Sequence, residues 1–453
     1  MSSEIRWDAV ARSPCARARP TPGSLVNTRL NRSPCARARP LAALKALCCA
    51  VLSIAPGAAT AQSSSGTPAV TEAERAQLAA DLAADASATA GPASAQAAAA
   101  APPALMEALA GLQPDIAVIG SVAAAAFTDR APLLAGGHDP ARTGWNLPGI
   151  EIHVGSAVDP YLRYELAVVF LEGGLELEEG YATTQALPAQ LQLRAGKFGL
   201  PFGRQNGQHL HAWTFFDQPM VWSRAFGPDG ARGLGAELSR IETALPWYLE
   251  HRLAVTHPGG DCCGRSFPGA DQAPITAWDD LLYTAAQRHF FALGEDWGLS
   301  LGLSAQTGGN AAPGSPWLAG GELYLRWRPV ADADRSFVAL QAEWLYRHRT
   351  GVGEASGDLA DHGGYAQLAW GLSGRWQIAA RTEYGSGNAG DPLDPDWTEG
   401  RTRHSVVAAW LPSEFSRIRL QGSVDQPQWA DEPVWGVMLG LETSIGAHAA
   451  HPW

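Results

Sequence analysis

Lysine is almost missing from this chain: Lys45 and Lys197 are the only two in 453 residues. Acidic residues outnumber basic ones by 45 to 33, so the broad basic face needed to bind nucleic acid is not expected. After residue 62 there is no run of about 18 apolar residues, which excludes a membrane-spanning helix there. G-x-S-x-G, H-E-x-x-H and P-loop signatures are all absent, so no enzyme is expected and no cofactor is assigned. Glycine and tryptophan are plentiful instead, at 49 and 17 residues. That combination suits a sheet protein with many turns and aromatic girdles.

The amino-terminal region divides by composition. Ser13–Pro20 and Ser33–Pro40 carry the same octapeptide, SPCARARP, which shows no apolar periodicity and no sign of a fold of its own. Arg37, Arg39 and Lys45 then precede the apolar stretch Ala46–Ala55, with Ala59-Thr60-Ala61 beyond it. A basic head, a short apolar middle and an A-x-A site are the parts of a secretory signal peptide. Cleavage is expected after Ala61. Residues 1–61 hold nine basic and two acidic residues, so the remainder keeps 24 against 43, a formal charge of −19. A negative lumen or surface attracts cations.

Of six cysteines only Cys262 and Cys263 follow that cleavage point, adjacent within PGGDCCGRSFPG. They permit a vicinal disulfide in an oxidising compartment, and two thiolates are too few to define a metal site. Residues 62–113 are rich in Ala, Ser, Thr and Pro. Within them Thr71–Ala86 has helix-forming composition, read either as a periplasmic tether or as a short helix that associates with its copies in a homotrimer.

From Asp115 the texture changes to alternation with period two. Leu162, Tyr164, Leu166, Val168 and Phe170 alternate with Arg163, Glu165, Ala167 and Val169. Strands are expected near 116–126, 149–158, 161–171, 174–182, 189–199, 232–244, 248–257 and 281–293. Eight more are expected near 297–307, 318–329, 335–348, 363–372, 375–385, 401–411, 415–425 and 433–446. From the fourth strand onward short and long connections alternate, the arrangement of outer-membrane barrels. The expected fold is therefore an all-β, antiparallel transmembrane barrel of about 16 strands over residues 114–453. An even strand count places both termini on the periplasmic side. The last strand alternates through Leu439, Leu441, Thr443 and Ile445 and the chain ends on Trp453, similar to the signal read by the barrel assembly machinery.

The longest motif runs from Leu193 to Gly235, LRAGKFGLPFGRQNGQHLHAWTFFDQPMVWSRAFGPDGARGLG. Its G-K-F and P-F-G elements resemble the phosphate-selective porin O/P superfamily. Its FGRxNxxHxHxWxF spacing, with the ending IGAHAAHPW, is similar to the group labelled zinc-regulated TonB-dependent outer-membrane receptor. A TonB-dependent transporter needs a plug domain and a 22-stranded barrel, for which this chain is too short. The resemblance implies an outer-membrane channel passing small hydrophilic solutes or ions, surrounded by lipid. A zinc-linked receptor or transport accessory, and a closed surface barrel, are the alternatives.

On this strand count residues 200–231 form the third external loop, expected to fold inward as a constriction. Lys197, Arg204, Asp217 and Arg224 are its expected charged lining. Inward parity on the preceding strands assigns Glu151, His153, Arg163, Glu165, Glu176, Glu178, Gln192 and Arg194 to the lumen. His209 and His211 form an H-x-H pair, and His448 and His451 a second pair near the periplasmic rim. Imidazole suits zinc, copper or nickel, so both pairs are candidate metal ligands.

Overall fold

The computed structural model describes residues 114–129, 133–258, 265–267, 274–308, 316–330, 336–351 and 357–446. The signal peptide, the Ala-rich linker, Cys262, Cys263, His448, His451 and Trp453 lie outside the described residues. Sixteen antiparallel strands close on themselves, each paired with its sequence neighbours and the first with the last. They are β1 (Asp115–Phe127), β2 (Gly144–Ala157), β3 (Leu162–Leu171), β4 (Gly174–Thr184), β5 (Leu191–Gly199), β6 (Arg232–Glu242), β7 (Tyr248–Thr256) and β8 (Leu282–Leu293). The second half is β9 (Trp297–Gly308), β10 (Trp317–Trp327), β11 (Phe337–Arg349), β12 (Leu359–Ser373), β13 (Trp376–Gly385), β14 (Arg401–Ser413), β15 (Ser416–Pro427) and β16 (Val434–Gly446). Closure satisfies every ladder and leaves no open edge, as a membrane-spanning sheet requires.

Pairing β1 with β16 puts the start of the first strand and the end of the last at one end of the barrel. The tight turns between β12 and β13 and between β14 and β15 sit at that same short-turn end, and the 200–231 loop leaves from the other. The second strand begins five residues earlier than its alternation suggested. Pro148 conceals its start, because a register shift between Ser121 and Ala123 takes Leu147 and Pro148 out of the ladder. A bulge is where a sheet tolerates a proline.

The outer face is apolar. Leu303, Val406, Leu420 and Leu439 stand exposed around a mid-height belt, Leu303 at 65% and Val406 at 61%. Trp297 against Trp327 and Trp376 against Trp410 border it at the short-turn end. Trp317 against Tyr346 and Trp344 against Tyr384 border it at the long-loop end. Two aromatic bands flanking an aliphatic belt are what a barrel presents to lipid. The interior is polar, and Arg347, Arg349, Arg403 and Arg419 are among its largest fully buried side chains.

One further bulge matters for the site. Ala167 pairs with Glu179 whereas Val168 pairs with Leu177, so Glu178 is an extra residue in β4. The bulge reverses the strand's parity. Glu176 and Glu178 face inward before it, and Glu179 and Tyr181 face inward after it.

Candidate functional site: a loop threaded through the lumen

Residues 200–231 enter and leave the lumen through a neck clasped by one side chain. Asn206 Nδ2 donates to the carbonyls of Leu200 and Ala231 at 2.8 and 2.7 Å, and its Oδ1 accepts from Ala231 N at 2.7 Å. Beyond the neck the loop packs inside the barrel, against inward side chains of four strands. Gly203 N donates to Ser304 Oγ of β9 at 3.1 Å. The amides of Arg204 and Gln205 donate to the Glu343 carboxylate of β11 at 3.0 and 2.8 Å. Met220 N, at the start of α1 (Met220–Phe226), donates to Glu383 of β13 at 2.6 Å. Phe216 N donates to Gln421 of β15 at 2.8 Å.

The aromatic residues of the loop supply the apolar core that a water-filled barrel lacks. Phe202, Trp222 and Phe226 pack with Phe198, Leu318, Leu345 and Tyr365, and Phe216 packs with Ala123, Ala125 and Met438. Two strand glycines make the room. A Cβ at Gly320 would lie 2.8 Å from the Phe202 ring, and one at Gly440 would lie 2.6 Å from that of Phe216.

The β11–β16 wall holds the loop electrostatically. Asp217 Oδ2 accepts from Arg381 at 2.6 Å and from Arg403 at 2.7 Å, while Gln421 donates to its Oδ1 at 2.5 Å. Burial pushes the Asp217 carboxyl up, but Arg381 and Arg403 outweigh it and hold it below its usual range. Arg417 and Arg419 donate to the carbonyls of His211, Trp213 and Phe215. Arg224 pairs with Asp394 and lies 4.0 Å over the Trp397 ring. Asp139, from the β1–β2 loop, accepts from Gln218 N at 2.9 Å. Burial and the neighbouring Asp217 push its carboxyl up to about 6.

A further stretch of wall, β2 to β4, two strands beyond β16 across the β1 seam, meets the two loop histidines. His209 Nδ1 lies 3.2 Å from Glu151 and 3.5 Å from Glu178, and its Nε2 lies 3.4 Å from Glu179. His211 Nδ1 is 3.1 Å from the other oxygen of Glu151. His138, buried in the β1–β2 loop, reaches Glu178 at 3.2 Å. Burial disfavours the charged His209 imidazole, yet the glutamates around it dominate and hold its pKa well above the ordinary value.

The loop divides the lumen. Toward the short-turn end lies a cavity of about 770 Å³ lined by His153, Glu165, Arg194, Arg204 and Arg252, among others. Toward the long-loop end lies one of about 690 Å³ lined by Arg224, Arg265, Asp394 and Arg401. Gaps of only about 10 and 20 Å³ lie between the loop and the β2–β4 wall, and both are lined by His138, Glu178 and Leu210.

Several residues singled out from the sequence come together here: Glu151, Glu178, His209 and His211. Glu176 and Glu178 pair with Arg232, while Arg163 and His153 pair with Glu165. Gln192 is exposed near the short-turn end of its strand. Two expectations need correction. Lys197 is not in the lumen: its neighbour Phe198 points inward and is fully buried, so Lys197 faces outward, where its Nζ donates to the Leu177 carbonyl at 2.5 Å. Asp217 does not line open space, being 1% exposed and enclosed by two arginines. Glu179 and His138 were missed. The E-E pair in LELEEGY hinted at the first, since a bulge there turns both carboxylates inward.

No protein-family model matches the chain. An uncharacterized protein of Aquifex aeolicus (strain VF5) is 27% identical over 350 residues, 70% of this chain and 73% of that one. Among solved structures, OprB of Pseudomonas putida is similar with a TM-score of 0.50 and 10% identity, over 76% of this chain and 96% of that one. The outer membrane channel DcaP of Acinetobacter baumannii has a TM-score of 0.50 and 11% identity, over 73% of this chain and 97% of that one. At such identities the likeness is one of fold, a closed porin-like barrel.

Proposed function

We propose that this protein is a porin-type channel of the bacterial outer membrane, passing small hydrophilic solutes or ions by diffusion. The observation that carries the proposal is a lumen with two polar vestibules on either side of an inward loop. The narrowest point of the proposed path then lies at the β2–β4 wall, beside Glu151, Glu178, His209 and His211, where the gaps between loop and wall are only about 10 and 20 Å³. The apolar belt faces lipid, and the long loops face outward. The carboxylates at the narrow point are balanced by His138, His209, His211 and Arg232, so the expected cation preference rests on the surplus of acidic over basic residues in the chain as a whole.

Planar-bilayer recording tests this. Discrete steps of current are expected from purified protein, with a reversal potential in a salt gradient that favours the cation. Replacing residues 207–229 with a short Gly-Ser turn should raise the single-channel conductance severalfold, because it removes the partition while Asn206 remains. A protein that inserts into the bilayer but stays silent, with and without the loop, would sink the proposal.

A further inference from the structure

We propose that His209 Nδ1, Glu151 Oε1 and Glu178 Oε2 form a binding site for a divalent transition-metal ion where the short-turn vestibule narrows against the loop. The three side chains come from the loop, β2 and β4, and their ligand atoms lie within 4.8 Å of one another. Zinc held by imidazole nitrogen and carboxylate oxygen at about 2.1 Å gives ligand atoms roughly 3.4 Å apart in a tetrahedral shell. The two nitrogen–oxygen separations here, 3.2 and 3.5 Å, fall on either side of that figure.

The partners of the remaining atoms point the same way. Glu151 uses Oε2 for His211, and Glu178 uses Oε1 for Arg232 at 2.9 Å. Each glutamate thus has one oxygen held by the protein and the other turned toward His209. Glu151 is 6% exposed, yet its Oε1 has no hydrogen-bond partner, and neither has His209 Nδ1 although the two face each other. The two atoms form an ion-pair contact without an aligned hydrogen bond, which leaves both available to a shared ion. The other ring nitrogen of His209 faces Glu179 Oε2 at 3.4 Å, and Glu179 is itself fixed by Gly199 N at 2.7 Å. A carboxylate behind an imidazole is the usual support of a metal-bound histidine: it keeps the proton on the far nitrogen and the lone pair on the near one. Glu179 is therefore a positioning residue, not a ligand.

Coordination positions left open are filled by water from the vestibule. Binding releases the Nδ1 proton to solvent, so it weakens in acid. An ion at this point also stands in the proposed path, so it would block current. That consequence rests on the channel proposal, whereas binding itself does not.

The experiment is isothermal titration of untagged, folded protein in detergent with zinc chloride. One equivalent is expected to bind. His209→Ala, Glu151→Gln and Glu178→Gln should each weaken binding at least tenfold, and Glu179→Gln on the order of tenfold while all three ligands remain. His404→Asn, on the outer face, should leave it unchanged. Heat-shifted gel mobility identifies the variants that fold. Should they fail to fold, cobalt(II) on the wild-type protein decides: nitrogen and oxygen ligands give visible ligand-field bands without the near-ultraviolet thiolate band that Cys262 and Cys263 would produce. No binding by the wild type, a thiolate band, or unchanged affinity in folded His209→Ala and Glu151→Gln would each overturn the site. Binding in a protein that forms no channels would leave the site standing and remove the channel. Open channels in a protein that binds no zinc would do the reverse.

Discussion

Asp217 shows how far a residue's role depends on what surrounds it. In the sequence it stands among polar loop residues and reads as part of the field in a constriction. In the fold it is the anion to which Arg381 and Arg403 are both bound. Removing one partner of a buried pair leaves uncompensated charge, at a cost of about 3–5 kcal/mol. Asp217→Ala should therefore lower the urea midpoint of barrel unfolding while hardly moving the reversal potential, and the opposite pattern would return Asp217 to the pore. Asp139, beside it, has a pH signature. Its carboxyl is raised from 3.8 to about 6, so it binds its proton more tightly folded than unfolded. Its favourable contribution is complete below about pH 4 and is lost as the pH rises through about 6. Asp139→Asn removes that dependence. The variant should gain stability relative to the wild type between pH 4 and 7, and a constant difference across that window would contradict the assignment.

Among the elements, the 200–231 loop is the one that converts a hollow sheet into a divided lumen. Gly440 on β16 tests how it is seated. A side chain there meets Phe216, whereas one at Gly422 meets nothing nearer than Val406 at 4.0 Å. Gly440→Val should loosen the Phe215–Phe216 segment, so that chymotrypsin cuts the loop faster and channel current becomes noisier. Gly422→Ala should change neither. The bulge in β4 is a second element that no alternation pattern revealed. Period-two reading carried across it would send Glu179 outward, and only the mispairing of Ala167 and Val168 turns it in.

For the whole molecule, the decisive property is which face of the sheet meets lipid. Val406→Arg, at mid-belt, should cost about 2–4 kcal/mol, read from unfolding in lipid vesicles. With Cys262 and Cys263 replaced, Glu165→Cys should react with a water-soluble thiol reagent from the lumen and Val406→Cys should not. Equal labelling of both would mean that the apolar face is wetted and the barrel does not span a bilayer.

Strand number and the antiparallel barrel were legible in the sequence, and alternation put Glu151, Glu165 and Glu178 on the face opposite the apolar one. Alternation with period two is a local property, and each strand carries enough of it to declare its own faces. The H-x-H pair and the aromatic run of the loop were visible in the same way. Their partners were not. His209 meets Glu151, Glu178 and Glu179, and Asp217 meets Arg381 and Arg403, across separations of some thirty to nearly two hundred residues. Lys197 was misplaced because it was taken with the loop lining, although the inward parity of Gln192 and Arg194 on the same strand sends it to the outer face. The sequence by itself determined a closed barrel with a polar inside and an apolar outside, because that follows from local patterning. Which wall the loop leans on, and which carboxylates its histidines find, was decided only when sixteen strands closed around it.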